Sequence, residues 1–288
     1  MLLVTGATGT IGRPLIDLLV DEGAKVRAVT RDRLAAGLPG QVEVVEGDPS
    51  QPATIGSFLE GVTGLFLHPR SVGTPAAAVE LLALARGRGA RRVVVLSAAN
   101  VDDPLDEQPS RYNGDRNKEV EDAAVASGLE WVSLRSSFFA SNTLQAWGAQ
   151  IRAGDLVRGP YASFAEAPIH ERDLAGVAAC ALRTDGLVGR KAVLTGPQSL
   201  THQQMVAIIG EVTGRPLRYQ EIPPEVAEQG MVAQGFPEGF VKALMARYAR
   251  GVGQAAPVTG EVETILGRPA RPYAHWVADH ATAFRDKS

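Results

Sequence analysis

The sequence is poor in cysteine and has no long apolar run. Cys180 is the only cysteine among 288 residues, so an intrachain disulfide and a zinc site of paired cysteines are both excluded. No apolar stretch approaches the roughly 18 residues that a membrane-spanning helix requires. The first residues also lack the basic segment that precedes the apolar part of a secretory signal. These features predict a cytoplasmic protein that has no membrane partner.

An excess of charge of one sign is also missing. The chain has 29 Lys and Arg against 32 Asp and Glu, a net charge of -3, so nothing in its charge favours binding to nucleic acid. Hydrophobic residues make up 45% of the sequence, which is typical of a globular protein and excludes global disorder. We therefore expect a folded monomer or homodimer whose partner is a small molecule.

Short β-branched runs alternate with helix-period segments in the first half of the chain. The predicted strands are Leu2–Thr5, Lys25–Thr30, Val42–Glu46, Gly64–His68, Arg92–Ser97 and Trp131–Arg135. The predicted helices between them are Thr10–Glu22, Pro52–Leu59, Thr74–Gly89 and Asn113–Ser127. This alternation predicts an α/β fold of the Rossmann type, with a doubly wound parallel sheet covered by helices.

The alternation loosens after about residue 136. The predicted elements there are helices at Glu171–Leu182 and Thr201–Thr213, a strand at Ala192–Thr195, and a helical pattern from Pro223 onward. We divide the chain into a dinucleotide-binding domain over residues 1–150 and a smaller, mainly helical substrate region over residues 151–288. The two are expected to pack as a single compact unit.

The strongest motif is a glycine-rich turn directly after the first predicted strand. Its glycines, Gly6, Gly9 and Gly12, lead straight into the first predicted helix. Glycines at such a turn let the backbone approach a pyrophosphate, and the helix N-terminus offers amides and a positive dipole end. The residues predicted to hold the pyrophosphate are Gly6, Thr8, Gly9, Thr10, Ile11 and Gly12.

The Gly-Ala-Thr-Gly-x-x-Gly spacing resembles the short-chain dehydrogenase/reductase superfamily, and several later segments resemble its NmrA-like group. Those segments are Gly47-Asp48, the stretch from Leu134 to Asn142, and the stretch from Leu194 to Thr201. The group includes NADPH-dependent reductases of triphenylmethane dyes and quinones. The resemblance implies that Asp48 contacts the adenine and that Ser137 and Phe138 contact the cofactor.

The end of the second predicted strand bears on the choice between NADPH and NADH. Arg31 stands where an NAD-binding protein usually has a carboxylate for the ribose hydroxyls. A guanidinium there favours the 2′-phosphate of NADPH, and Arg13 offers a second positive charge. Asp32 takes the NAD role if the strand runs one residue longer. We expect NADPH, with NADH disfavoured, and we expect His68 to wall the cofactor groove.

The catalytic pair of the superfamily is incomplete in this chain. Lys118 matches the lysine of the Tyr-x-x-x-Lys pair, but Gly114 occupies the tyrosine position. Tyr112 is a candidate substitute that also fits an exposed loop tyrosine, and Ser97 ends a strand where ligands bind in α/β sheets. Epimerisation of nucleotide sugars depends on the missing tyrosine and is therefore disfavoured.

These observations favour an NADPH-dependent reductase of an aromatic, quinone-like or ketone small molecule. The aromatic residues predicted to line its substrate pocket, or else to pack in the core, are Phe138, Phe139, Trp147, Tyr161 and Phe164. One alternative is a ketoreductase of a polycyclic aromatic natural product, in which a substrate hydroxyl supplies the proton. The other is a non-catalytic NADP(H)-binding redox sensor that regulates a partner.

Overall fold

The structure is a computed structural model that describes residues 1–285. The chain forms two compact units, and each is built from several segments. The sheet unit comprises Met1–Asp102, Gly114–Ser136 and Glu171–Leu194. The helical unit comprises Asp103–Asn113, Ser137–His170 and the described chain from Thr195 onward.

The sheet unit contains a seven-stranded parallel sheet. Its strands are β1 (Leu2–Val4), β2 (Val26–Thr30), β3 (Glu43–Glu46), β4 (Gly64–Leu67), β5 (Arg92–Ala98), β6 (Glu130–Ser136) and β9 (Lys191–Leu194). Their order is β3-β2-β1-β4-β5-β6-β9, and every neighbouring pair is parallel. The predicted α/β fold with a Rossmann-type sheet is confirmed.

Five helices belong to the same unit. They are α1 (Gly12–Asp21), α2 (Pro69–Val72), α3 (Pro75–Gly87), α4 (Asn117–Ala126) and α6 (Glu171–Arg183). The helix predicted over Pro52–Leu59 is instead two short 3-10 helices, Pro52–Thr54 and Gly56–Leu59. Gly56 interrupts this segment, and glycine is a poor residue for a continuous α-helix.

The helical unit has two small sheets among its helices. Its helices are α5 (Asn142–Ala153), α7 (His202–Thr213), α8 (Pro224–Ala233), α9 (Glu238–Gly251), α10 (Glu261–Leu266) and α11 (Tyr273–Asp279). Its strands are β7 (Leu156–Gly159), β8 (Ala165–Glu166), β10 (Leu200–Thr201) and β11 (Arg218–Glu221), of which β8 pairs with β10 and β7 with β11. Trp147, Met205 and Trp276 lie in its apolar core.

The unit boundaries differ from the division placed at residue 150. The segment Asp103–Asn113 leaves the sheet unit early, whereas α6 and β9 return to it. The return has a clear cause, because β9 hydrogen-bonds to β6 and completes one edge of the parallel sheet. Among the residues described, no helix is long and apolar enough to cross a membrane.

Candidate functional site

The glycine-rich turn joins β1 to α1 and leaves no room for side chains on its inner surface. Gly6 has a φ of +63°, a conformation that favours glycine. A Cβ atom on Gly12 would lie 2.1 Å from the carbonyl oxygen of Gly6 and 2.8 Å from Cα of Ala7. The amides of Arg13 and Leu15 already donate to the carbonyls of Gly9 and Ile11 and Pro14 has no N–H, so an anion here would meet the positive end of the helix dipole and the closely approaching glycine backbone. The turn therefore fits the pyrophosphate of a dinucleotide.

His68, at the end of β4, packs against this turn. A Cβ atom on Gly6 would lie 3.1 Å from Cβ of His68. The backbone amide of His68 donates to Oγ1 of Thr5, and that hydroxyl donates to the carbonyl of Phe66. Nδ1 of His68 accepts a hydrogen bond from the amide of Arg70 at 3.3 Å, which places the ring proton on Nε2. Because burial lowers the pKa of His68, the ring is a neutral wall with one remaining N–H donor.

Arg31 and Asp32 follow β2 and differ in how their side chains are used. Oδ1 of Asp32 accepts hydrogen bonds from the amides of Leu34 and Ala35, both at 3.0 Å. Its carboxylate thus caps its own loop. The Arg31 side chain is exposed.

Asp48, after β3, is ionised and ordered. Its Oδ1 accepts a hydrogen bond from the amide of Ser50 at 2.9 Å. Burial opposes its ionisation, but the hydrogen bonds from Ser50 and the charge of Arg31 outweigh that effect and lower the pKa of Asp48. The guanidinium of Arg31 and the carboxylate of Asp48 therefore attract each other electrostatically.

Ser97 and Lys118 lie in the sheet unit, on β5 and α4. Ser97 is 2% exposed. Its hydroxyl faces the buried carboxylate of Glu121 and contributes to lowering the pKa of that carboxyl. Nζ of Lys118 contacts both carboxylate oxygens of Asp122, at 2.7 and 2.8 Å, and this interaction raises the pKa of Lys118.

Gly114, at the family's tyrosine position, is not part of α4. The helix begins at Asn117, with Arg116 as its N-cap, although the sequence predicts a start at residue 113. Gly114 has a φ of +91°, in the region that strongly favours glycine. The Tyr-x-x-x-Lys pair therefore lacks its backbone geometry as well as its tyrosine.

A buried ionic network fixes α4 to the sheet, and sequence reasoning did not find it. Glu121 has a fully buried side chain, and its carboxylate accepts hydrogen bonds from Arg135 and from the hydroxyl of Ser133. Lys191 and Asp102 complete the network through Glu121 and Arg135, respectively. Burial alone would raise the pKa of Glu121, but the hydrogen bonds from Arg135 and Ser133 lower it to about 2. The sequence signal for this network was Arg135, a charged residue at the end of the sixth predicted strand, whose other residues are mostly apolar.

Tyr112 and the residues after β6 lie in the helical unit. The hydroxyl of Tyr112 donates to the carbonyl of Asp106, and its ring covers Gly239 of α9 so closely that a Cβ there would lie 2.3 Å from Cδ1 of the ring. Oγ of Ser137 donates to the carbonyl of Ala167 at 2.6 Å. Phe138 packs against the core of this unit, and the neighbouring Phe139 forms a β-bridge with Ile169.

The helical unit contains an aromatic cluster centred on His202. The ring centroid of His202 lies 5.6 Å from that of Trp147, 5.4 Å from Phe164 and 4.9 Å from Tyr248. Tyr161 reaches the cluster through Tyr248, at 6.2 Å. The structure thus brings Trp147, Tyr161 and Phe164 together through two rings that sequence reasoning missed.

The protonation state of the central ring follows from its surroundings. Burial lowers the pKa of His202 to about 4, so the ring is neutral. Its Nδ1 lies 3.4 Å from the carbonyl oxygen of Pro160, which also accepts a hydrogen bond from the hydroxyl of Tyr219 at 2.8 Å.

An ion pair borders this aromatic cluster. The guanidinium of Arg247 donates to both oxygens of Glu166, at 2.6 and 2.8 Å, and lies 5.3 Å from the ring centre of Phe164. Glu166 has a side chain only 4% exposed. Burial opposes ionisation of Arg247, but its contact with Glu166 raises the pKa of Arg247. The guanidinium of Arg247 is therefore charged although it is buried.

Comparison with known proteins agrees with this geometry. A family model described as NAD(P)H-binding matches residues 6–185, which include the glycine turn, Asp48, Ser97 and Lys118. The chain belongs to this NAD(P)H-binding family. The predicted nicotinamide cofactor and the resemblance to NmrA-like short-chain dehydrogenases/reductases are thereby confirmed.

Two curated relatives match along their whole length. One is a (4-alkanoyl-5-oxo-2,5-dihydrofuran-3-yl)methyl phosphate reductase of Streptomyces griseus, 35% identical over 285 residues, with 99% of each chain covered. The other is an NAD(P)H azoreductase of Xenophilus azovorans, 32% identical over 293 residues, again with 99% of each chain covered.

Two solved structures share the fold. An NADPH-dependent quinone oxidoreductase of Escherichia coli, in complex with NADPH, has a TM-score of 0.81 and 22% identity, with 98% of this chain and 100% of that chain covered. A triphenylmethane reductase of Citrobacter, in complex with NADP(H), has a TM-score of 0.78 and 22% identity, with 97% of this chain and 99% of that chain covered.

Proposed function

We propose that this protein is an NADPH-dependent reductase of a conjugated, electron-poor small molecule. Candidate acceptors are quinones, azo arenes, triarylmethane dyes and butenolides that carry an acyl group on the double bond. The two curated relatives support this class, because one is named for reduction of an acyl-substituted dihydrofuranone phosphate and the other for reduction of azo compounds.

The observation that carries the proposal is the geometry at Gly114. With a glycine at φ +91° ahead of α4, the residue four positions before Lys118 has no phenol to protonate a simple alkoxide. Quinones, acyl-butenolides and triarylmethane cations do not require such an acid. A reduced quinone is a phenolate, and a reduced acyl-butenolide is an enolate shared by two carbonyls, so water can protonate either one. A reduced triarylmethane cation is already neutral.

The residues of the sheet unit have separate roles in this proposal. When bound, the reduced dinucleotide supplies the hydride. The glycine turn from Gly6 to Gly12 holds the pyrophosphate, Asp48 the adenine side and Lys118 the ribose hydroxyls next to the nicotinamide. His68 walls the groove with its neutral ring, and Ser97, near the carboxyl end of β5 where ligands bind in α/β sheets, is the proposed contact of the nicotinamide or the substrate carbonyl. The chain's contribution is orientation and exclusion of water.

The preference for NADPH rests on the two side chains after β2. Arg31 is exposed and can pair with a 2′-phosphate, whereas the carboxylate of Asp32 is occupied by two backbone amides of its own loop. A carboxylate used in this way is poorly placed to accept the ribose hydroxyls of NADH. This supports Arg31 as the 2′-phosphate ligand.

We propose that the aromatic cluster around His202 binds the substrate. Tyr161 has a φ of +51°, which is uncommon for a residue with a side chain, and such local strain concentrates at functional sites. Its half-buried ring and that of Tyr248 offer flat apolar surfaces to an aromatic or lactone ring. Trp147 and Phe164, at 6% and 4% exposure, support these rings from the core.

The first experiment is NADPH consumption by the purified protein with a panel of acceptors. The panel contains a quinone, an azo dye, a triarylmethane dye, an acyl-butenolide phosphate and a polycyclic aromatic ketone. Turnover of the first four with NADPH, and little with the ketone, is the expected result. Turnover of the ketone alone would favour the natural-product ketoreductase. Tight NADPH binding without turnover of any acceptor would favour the redox sensor and contradict the proposal.

Lys118→Met is the matched site variant. Loss of a hydrogen bond to a charged group costs about 1.5–3 kcal/mol, so a loss of roughly tenfold or more in kcat/KM is expected. Lys242→Met is the control, because Lys242 also lies four residues from a carboxylate partner, Glu238, on an exposed helix face. If kcat/KM falls equally in Lys118→Met and Lys242→Met, Lys118 has no specific role in the cofactor site.

A further inference from the structure

Arg13 is the second residue of α1, and its guanidinium holds three backbone carbonyl groups. Nε donates to the carbonyl of Thr8 at 3.2 Å. Nη1 donates to the carbonyl of Gly37 at 3.0 Å, and Nη2 donates to the carbonyl of Ala36 at 2.8 Å. One side chain therefore connects the glycine turn to the segment that follows β2.

That segment, residues 31–37, is here called the Arg31 loop. All of its residues except Ala36 are exposed, so packing contributes little to its position. Its internal hydrogen bonds, from Leu34 and Ala35 to Asp32, stabilise its shape but attach it to nothing else. Among the described residues, the side chain of Arg13 attaches the far end of this loop through its bonds to Ala36 and Gly37.

We propose that Arg13 is a positioning residue for selection of the 2′-phosphate. It holds the Arg31 loop at a set distance from the pyrophosphate turn, so that one dinucleotide engages both. The proposal rests on the proposed role of Arg31 as the 2′-phosphate ligand. It differs from a direct role for Arg13, because the guanidinium's planar fork is used on carbonyl oxygens instead of on the phosphate.

The geometry explains why arginine is needed here. Three carbonyls on two segments are reached at once by N–H groups that diverge within one plane, which the single ammonium of lysine cannot reproduce. A lysine at residue 13 would keep the positive charge but lose the connection. The Arg13→Lys variant therefore separates positioning from charge.

The test compares binding of NADP⁺ and NAD⁺ by calorimetry, without any turnover. The variants are Arg13→Lys, Arg13→Met and Arg31→Ala. We expect Arg13→Lys and Arg13→Met to lower the ratio of the NAD⁺ Kd to the NADP⁺ Kd equally, by about tenfold, which corresponds to 1.4 kcal/mol. NAD⁺ binding itself should change less than about twofold, since a loss of this size is specific to the added phosphate.

The possible outcomes divide clearly. If Arg13→Lys keeps the ratio while Arg13→Met loses it, Arg13 acts through its charge and the proposal is overturned. It is also overturned if both variants keep the ratio. If Arg31→Ala keeps the ratio, the proposed 2′-phosphate site fails, irrespective of Arg13. The double variant Arg13→Met/Arg31→Ala gives a further check. If its ratio of Kd values falls no further than that of Arg31→Ala alone, the positioning role is supported, whereas additive falls in the ratio contradict it.

A second readout needs no ligand. In Arg13→Lys, the amides of residues 33–37 should exchange hydrogen at least about tenfold faster than in the wild-type protein, while those of β2 stay unchanged. Unchanged exchange in the Arg31 loop would overturn the positioning role even if cofactor binding were altered. Faster exchange throughout the sheet unit would mean general destabilisation, and the proposal would again fail.

Discussion

Replacement of Gly114 by tyrosine tests whether the missing phenol is a matter of one side chain or of the backbone. The substitution restores the Tyr-x-x-x-Lys sequence with Lys118. In a helix, residues four apart lie on one face, but α4 begins three residues after Gly114. The new phenol would start from a turn outside the helix. We therefore expect Gly114→Tyr to leave turnover of a ketone at the wild-type level.

The cost of this substitution comes from the backbone. A Cβ atom at residue 114 meets nothing within 4 Å, so no clash is expected. The φ of +91° is the unfavourable feature, and a side chain in such a region costs about 1–3 kcal/mol. At about 2–4 °C per kcal/mol, the melting temperature should fall by roughly 2–12 °C. Gly114→Ala is the matched control, because it imposes the same backbone strain without the phenol.

The assay is NADPH consumption with a quinone and with an aromatic ketone, measured from pH 5 to 10 for both variants. Both should have the same pH profile, and neither should gain ketone turnover. A tenfold gain in Gly114→Tyr over Gly114→Ala, with a new pH limb that reports a phenol, would refute the reasoning. It would mean that α4 extends to residue 114 when a tyrosine is present.

Three further outcomes are expected. Gly12→Ala should abolish dinucleotide binding measured by calorimetry, since its Cβ would lie 2.1 Å from a backbone oxygen, whereas Gly87→Ala, where nothing lies within 4 Å, should bind normally. Glu121→Gln should lower the free energy of unfolding in urea by about 3 kcal/mol, because the buried guanidinium of Arg135 loses its buried charge partner and keeps only the exposed carboxylate of Asp102; a change below 1 kcal/mol would contradict this. The lowered pKa of His202, about 4 against 6.5, means that the unfolded state binds more protons between these values. The free energy of unfolding should therefore fall as pH drops from 6.5 to 4, and the fall should be smaller in His202→Phe.

The central sheet and the glycine turn were predictable because their signals are local. Runs such as Val93-Val94-Val95-Leu96 are apolar throughout, as strands buried on both faces must be. The start of α4 was wrong by four residues, because the turn-forming stretch Asn113-Gly114-Asp115, with Gly114 at a φ of +91°, precedes the helix and is not part of it. Helix ends depend on a few backbone angles, which side-chain periodicity does not report.

The roles of individual charged residues were less predictable. Asp32 and Arg31 are adjacent in the sequence, and both were candidates for the ribose. Their difference appears only when the amides of Leu34 and Ala35 are seen to bind the Asp32 carboxylate. Arg13 was considered as a phosphate ligand, whereas its N–H groups reach three carbonyls up to 24 residues away.

The sequence alone determined the fold class, the glycine-rich turn and the absence of the usual tyrosine, because each depends on residues that are neighbours along the chain. Only the tertiary structure determined the membership of the two units and the contents of the aromatic cluster. Trp147 and His202 are 55 residues apart, and Glu166 and Arg247 are 81 apart. Such pairs form because buried polar and charged groups need partners, which the fold supplies from distant parts of the chain. Periodicity in the sequence reports only neighbouring residues, so it does not predict which distant residues will meet.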